Sequence, residues 1–406
     1  MSAGAVPGHI PAARVVDLDV YDPAGADDDF HHRWRALQAE LPDMVWTRRN
    51  EGHWIAMGGA ALAEVQSDST RFSSRVIVLP KSIGEQHKLI PTTIDPPEHR
   101  PYRLLLNAAL SPATVRSLEP AIRASAIDLI EAFIADERCN FTRQYAEILP
   151  IRIFLALVDL PEADAGQIRQ WVACITRPNP PIPFAEALGQ LLAYLDPVIA
   201  ARRHTPRDDM LSRMIAEGLD GRQLSHADAV SLCTQVLIAG VDTVVNMLGY
   251  VMAWLAQHPE TRAAIASHPP GIRATTNELF RRFGLVTVAR EVRTDIDFHG
   301  VALKAGEMVA VPTALHGLDE RLNPDPLAVD FDRRTCSHSA FGSGPHRCPG
   351  QELARTEVAI TIEEWLRRIP DFSLAADTDL SFAPGIVASL RRVMLQWPGQ
   401  AQILRK

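Results

Sequence analysis

The chain has 406 residues, of which 47% are apolar, 22% charged and 6% aromatic, a globular composition well outside the ranges of disordered or collagen-like chains. Its 41 basic residues against 49 acidic ones leave a net charge of −8, which argues against a general nucleic-acid binder or a polybasic membrane-surface protein. The five cysteines are odd in number and form no C-x-x-C pair, which argues against a disulfide framework or a zinc ribbon and fits a reducing cytoplasm.

Residues 1–30 carry Asp17, Asp19 and Asp22 and no apolar run long enough for a signal peptide or an anchor, so a soluble cytoplasmic protein with no membrane attachment is expected. Nothing reads as a flexible linker, and 1–406 is expected to form a single compact domain. A short β-type stretch lies at 54–57. Thirty prolines then supply the next landmarks, Pro80, Pro91, Pro96 and Pro97 in one cluster and Pro178, Pro180, Pro181 and Pro183 in another. Proline lacks an amide donor and restricts the residue before it, so both clusters mark irregular surface loops, the kind of segment that carries function.

Between these loops, Ser111 and Pro112 open a helical pattern through Leu118, Ile122, Ile127, Ile130 and Phe133. The longest pattern spans 225–257, with Ser225 and Asp228 in a capping-box arrangement and Pro259 past the end. At about 1.5 Å per residue it would extend about 48 Å, enough to cross a domain. Gln235, Asp242, Thr243 and Asn246 make it too polar for a lipid-embedded span, and the rest is too apolar for an exposed helix. It reads as a buried core helix passing a functional cavity, with a kink or widened turn near Gly240 and Thr243. Further β-type stretches at 297–303 and 308–312 and a helix at 351–368 complete a mainly α chain with small sheets.

The sequence F-G-S-G-P-H-R-C-P-G at 341–350, just ahead of that last helix, carries the chemistry. Its glycines allow tight turns and close approach to a planar ligand, and Cys348 precedes a helix start whose amides and dipole favour a thiolate. A thiolate held this way is a strong axial donor to iron; the alternative is an ordinary buried cysteine in a glycine-rich turn.

This loop resembles the haem-ligand signature of the cytochrome P450 family, with Phe341, Cys348 and Gly350 at its set positions. Glu278-Leu279-Phe280-Arg281 is similar to the family's E-x-x-R pair. The resemblance implies the P450 fold, with haem b (iron protoporphyrin IX) between the long helix and the cysteine loop and the two proline-rich loops as a lid. It further implies that Cys348 ligates the iron and that His99, Arg103, Arg290 and His346 bind the haem propionates. Ala239-Gly240-Val241-Asp242-Thr243 is similar to the oxygen-binding segment, which implies that Thr243 supports dioxygen activation and that Asp242 relays protons. Strings such as I-P-T-T-I-D-P-P-E at 90–98 and G-L-D-E-R at 317–321 are close to the bacterial camphor-hydroxylating branch.

Against that branch, His87 replaces the tyrosine that binds the camphor ketone, Val78 and Leu89 replace phenylalanines, and Gln235 replaces a leucine. Thr92, Ile238, Ala239, Val286, Ile386 and Val387 match the remaining lining positions. The implied reaction is hydroxylation of a small apolar terpenoid or norisoprenoid, an ionone-like or camphor-like ketone, by O2. No dinucleotide fingerprint and no iron–sulfur cysteine cluster is present, so the implied electron donor is a [2Fe–2S] ferredoxin reduced by an NADH-dependent reductase. Arg71, Arg75, Arg103, Arg333 and Arg347 are candidates for its docking charge, and a monomer is expected. A haem-based sensor and a peroxide-dependent haem-thiolate enzyme are the competing readings.

Overall fold

The computed structural model describes residues 5–23, 29–177, 180–219, 222–267 and 272–399; of the proline positions singled out above, Pro178 lies outside them. The helix starts are those the capping residues announce. Ser111 Oγ accepts the Thr114 amide at 3.3 Å and opens Pro112–Glu131. Ser225 Oγ accepts the Asp228 amide at 3.0 Å and opens the central helix, His226–Gln257, and each bond satisfies a donor that the helix leaves unpaired.

The central helix links two apolar cores. Its first half contributes Leu232, Val236, Leu237 and Val241 to a core shared with Ile151, Phe154, Leu188 and Leu195. Its second half contributes Val244, Leu248, Val251 and Leu255 to a core built with Trp34, Trp54, Ile130 and Trp365. Asp242 and Thr243 therefore stand where one core gives way to the other. The helix is apolar enough to cross a bilayer by composition alone, and 72% of its most apolar stretch is buried inside the protein. The helix is continuous past Gly240: Thr243 Oγ1 donates to the Ala239 carbonyl at 3.2 Å. Glycine is needed there for room, since a Cβ would lie 2.9 Å from the Phe154 ring.

A six-stranded sheet runs in the order Val15–Val16, Met44–Thr47, His53–Ala56, Met308–Pro312, Thr287–Val292 and Phe72–Ser73. The stretch 297–303 forms a hairpin, Ile296–Phe298 with Val301–Leu303, because His299 and Gly300 turn in the left-handed region. Strand Thr287–Val292 places Arg290 beside the cysteine loop, and helix Gln351–Arg368 begins directly after that loop.

Candidate active site

A cavity of about 380 Å³ lies beside the central helix where the two cores meet. Its floor is the cysteine loop. Gly342 and Gly344 adopt φ of 72° and 68°, and a Cβ on Gly344 would come within 2.6 Å of Ser67 Cα. The Cys348 amide donates to the Phe341 carbonyl at 2.7 Å, so the loop closes on itself and directs the cysteine at the cavity it lines. Burial pushes the Cys348 thiol pKa up, while the Gly350 amide and Arg103, Arg355 and Arg347 pull it down. The helix start therefore does not outweigh burial on its own. Phe341 packs between Phe280, 4.5 Å between ring centroids, and the Arg355 guanidinium, 4.7 Å from its ring.

Behind the loop, Arg281 donates to both Glu278 oxygens at 2.7 Å, with the two side chains 0% and 3% exposed. Arg281 also donates to the carbonyls of Gly317, Pro326 and Ala328. Spacing alone would equally describe a solvated pair of little consequence; this one is buried with its donors met, which locks the segment leading into the loop. Arg333 Nε joins it at 3.1 Å from Glu278.

One end of the cavity is basic. Arg290 is buried and donates to the Ala289 carbonyl at 2.8 Å. Burial lowers its pKa to about 10, and Asp95, which acts on it at longer range, is already engaged by Ser73, the Ser74 amide and Arg293. The rings of His99 and His346 lie 4.2 Å apart, and His346 Nε2 is buried with no partner. Burial, with Arg290, His99 and Arg103 adding to it, pushes His346 down to about 2, while burial and Arg103 push His99 to about 4. Arg103 is spread between Asn107 Oδ1 at 2.8 Å and the Pro345 carbonyl at 3.3 Å. A buried group of cationic and donor side chains so short of anions is a receptor for negative charge. Gln66, which sequence reasoning missed, lines the cavity with Oε1 unpartnered; its only sequence signal was a polar residue late in the apolar helix Gly59–Ser67.

The remaining wall is apolar. Val78, His87, Thr92, Gln235, Ile238, Ala239, Val286, Ile386 and Val387 line it, as do Asp242 and Thr243. Leu89 does not. The turn that follows closes through the Thr93 amide and hydroxyl onto the Leu89 carbonyl, the Ile90 amide is tied to Ser231 Oγ at 3.1 Å, and Leu89 is buried in the core with Leu105, Leu106 and Leu188. Phe154 and Leu285 stand in the lining instead. Asp242 Oδ1 accepts from Arg177 at 3.0 Å and Asn246 at 3.1 Å, and its Oδ2 is buried without a partner; no local motif pointed to Arg177. Among the arginines considered for docking, Arg71 pairs with Glu64 and Asp68, Arg75 with Glu291, and Arg333 is buried against Glu278. Arg347 is exposed.

A family model described as cytochrome P450 matches residues 184–268 and 267–379. The chain is 30% identical over 402 residues to a probable cytochrome P450 127A1 of Sinorhizobium fredii, covering 97% of each. The chain belongs to the cytochrome P450 family. Among solved P450 structures, CYP101J2 matches at 43% identity with a TM-score of 0.91 and CYP101C1 at 36% with 0.90, each covering 97% of this chain and all of the other. These bear out the mainly α P450 fold and the resemblance to the camphor-type branch.

P450s are haem b enzymes of the monooxygenase class, and the residues present fit that group. A dianionic porphyrin matches the anion-short end at Arg290, His346, His99 and Arg103, the apolar walls match its rim, and Cys348 lines the cavity with its sulfur available to iron.

Proposed function

We propose that this P450 hydroxylates a small, mostly apolar terpenoid or norisoprenoid of camphor or ionone size that carries one oxygen function. The observation that carries this reading is the continuity of a single cavity from Cys348 and the basic end to an apolar wall interrupted by His87 and Gln235. When bound, haem supplies dioxygen activation and the oxidising power for C–H cleavage. The chain's own residues do the rest. Cys348 holds the iron; His99, Arg103, Arg290 and His346 hold the two carboxylates, with Phe341 and Gly350 shaping the loop. Asp242, held in place by Arg177 and Asn246, relays protons that come from solvent, and Thr243 presents a hydroxyl that can leave the Ala239 carbonyl. The apolar wall orients the substrate and excludes water.

Electrons come from a [2Fe–2S] ferredoxin and an NADH-dependent reductase, docking on the Cys348 side with Arg347 as the exposed charge. The shared central helix supports one folded unit over 1–406, acting as a cytoplasmic monomer without a membrane. The test is an absorption titration of the ferric protein with camphor and ionones, followed by turnover with and without ferredoxin. A low-spin to high-spin change and ferredoxin-dependent hydroxylation support the reading. Binding without turnover, or turnover that needs only peroxide, overturns it.

A further inference from the structure

The cysteine loop is anchored from behind by a side chain that does not line the cavity. His316, in the helical turn Ala314–Gly317, is buried and uses both ring nitrogens: Nδ1 lies 2.7 Å from Ser339 Oγ and Nε2 2.8 Å from Ser337 Oγ. Ser339 Oγ lies in turn 3.0 Å from Ser343 Oγ, inside the loop. Burial holds the imidazole below its usual pKa, against Asp319, and an uncharged ring has one donor and one acceptor, which the two serine hydroxyls satisfy. The base of this chain is itself fixed. Asn323, fully buried, donates to the carbonyls of His316 and Ser337 and accepts the Ser337 amide, and Arg281 of the buried ion pair donates to the Gly317 carbonyl.

From Ser339 the restraint continues along the loop. The Ser339 carbonyl accepts the Gly342 amide at 2.8 Å, the Phe341 carbonyl accepts the Cys348 amide at 2.7 Å, and the Gly350 amide acts as a donor on the Cys348 sulfur. Ser343 stands between Gly342 and Gly344, the two positions at positive φ, where the backbone has the most freedom to lose. Groups outside the ligand set orient a metal ligand, and hydrogen bonds to a thiolate sulfur tune its donation to iron and the reduction potential. We propose that His316 is a positioning residue of the haem-thiolate site: by holding Ser339 and Ser343 it fixes the amides around the Cys348 sulfur, which maintains thiolate ligation and keeps the iron's reduction potential raised. This rests on Cys348 being the iron ligand and adds a residue to that reading.

The test uses the haem-loaded full chain and two readouts, the absorption band of the ferrous carbon monoxide complex and the reduction potential from a spectroelectrochemical titration. His316→Gln keeps a polar group near the place of Nε2 but not of Nδ1, and His316→Asn does the reverse; Ser339→Ala removes only the hydroxyl between them and the loop. At full haem content, His316→Gln and Ser339→Ala are expected to shift the ferric–ferrous equilibrium about three- to tenfold toward ferric, the range of one net hydrogen bond, and to move part of the carbon monoxide complex to the band of a haem without thiolate. His316→Asn is expected to stay within about twofold of the unaltered protein. Readouts unmoved in both His316→Gln and Ser339→Ala, or an Asn variant displaced as far as the Gln one, would overturn the proposal while leaving Cys348 ligation intact. An unaltered protein without the thiolate band overturns both.

Discussion

The two ends of the cavity are short of opposite things. The end at Arg290, His346, His99 and Arg103 has donors and positive charge in excess, held by the sheet, the cysteine loop and the helix that begins at His99. The end at His87 and Gln235 is uncharged and apolar apart from one orphaned donor–acceptor set carried by a loop and the central helix. The first is built for one dianionic cofactor and could hardly change without losing it. The second can be altered residue by residue at small energetic cost. The lesson is that buried unmet demand, read with its sign, separates cofactor chemistry from substrate choice within a continuous space.

The sharpest way to break this division is at Cys348. Cys348→Ser is expected to reduce hydroxylation below detection, measured as product formed with ferredoxin and reductase present; retained turnover would remove the thiolate from the account. Next in size, Asp242→Asn is expected to slow turnover about 100-fold, the usual weight of a positioned proton donor, with substrate affinity unchanged in the same titration. An unaltered rate would assign Asp242 to holding Arg177 instead.

Arg290→Leu should act in opposite directions on two readouts. It removes a buried cation without an anion, so the haem-free protein should melt at a higher temperature, while haem affinity should fall about tenfold or more, the worth of a charged hydrogen bond. A lower melting point for the haem-free variant would show that Arg290 is satisfied by the protein itself. The smallest effect is expected at His87. Its folded pKa lies near 4 against 6.5 for the free group, so the stability tied to its neutral form is fully present above pH 6.5 and is lost as pH falls through 4. Ligand affinity should therefore stay level between about pH 6 and 9, as neutral imidazole requires, and His87→Phe should soften acid unfolding by at most about 3 kcal/mol. A binding step near pH 6.5 would mean that the imidazole is solvated and the pocket open.

Much of this was legible from residues that act locally. Ser111 and Ser225 announce their helices because capping is a short-range bond. The cysteine loop is readable because Gly342 and Gly344 are required by backbone angle and contact. What failed depended on contacts between distant segments. The resemblance to the camphor-hydroxylating branch puts Leu89 in the lining at a phenylalanine position, but the turn at Thr93 and the tie to Ser231 hold it in the core. Arg333, one of five candidates for docking charge, completes a buried network with Glu278 across a span that sequence spacing does not measure. Arg177 and Gln66 carried no pattern of their own and become visible only once the central helix and the cysteine loop are brought against them.

The central claim, that Cys348 and the basic end form a haem-thiolate site, is tested most directly by the absorption spectrum of the reduced protein under carbon monoxide. The account predicts the strongly red-shifted band of a thiolate-ligated haem, lost in Cys348→Ser. A band typical of imidazole ligation, or a spectrum unchanged by that substitution, would contradict it.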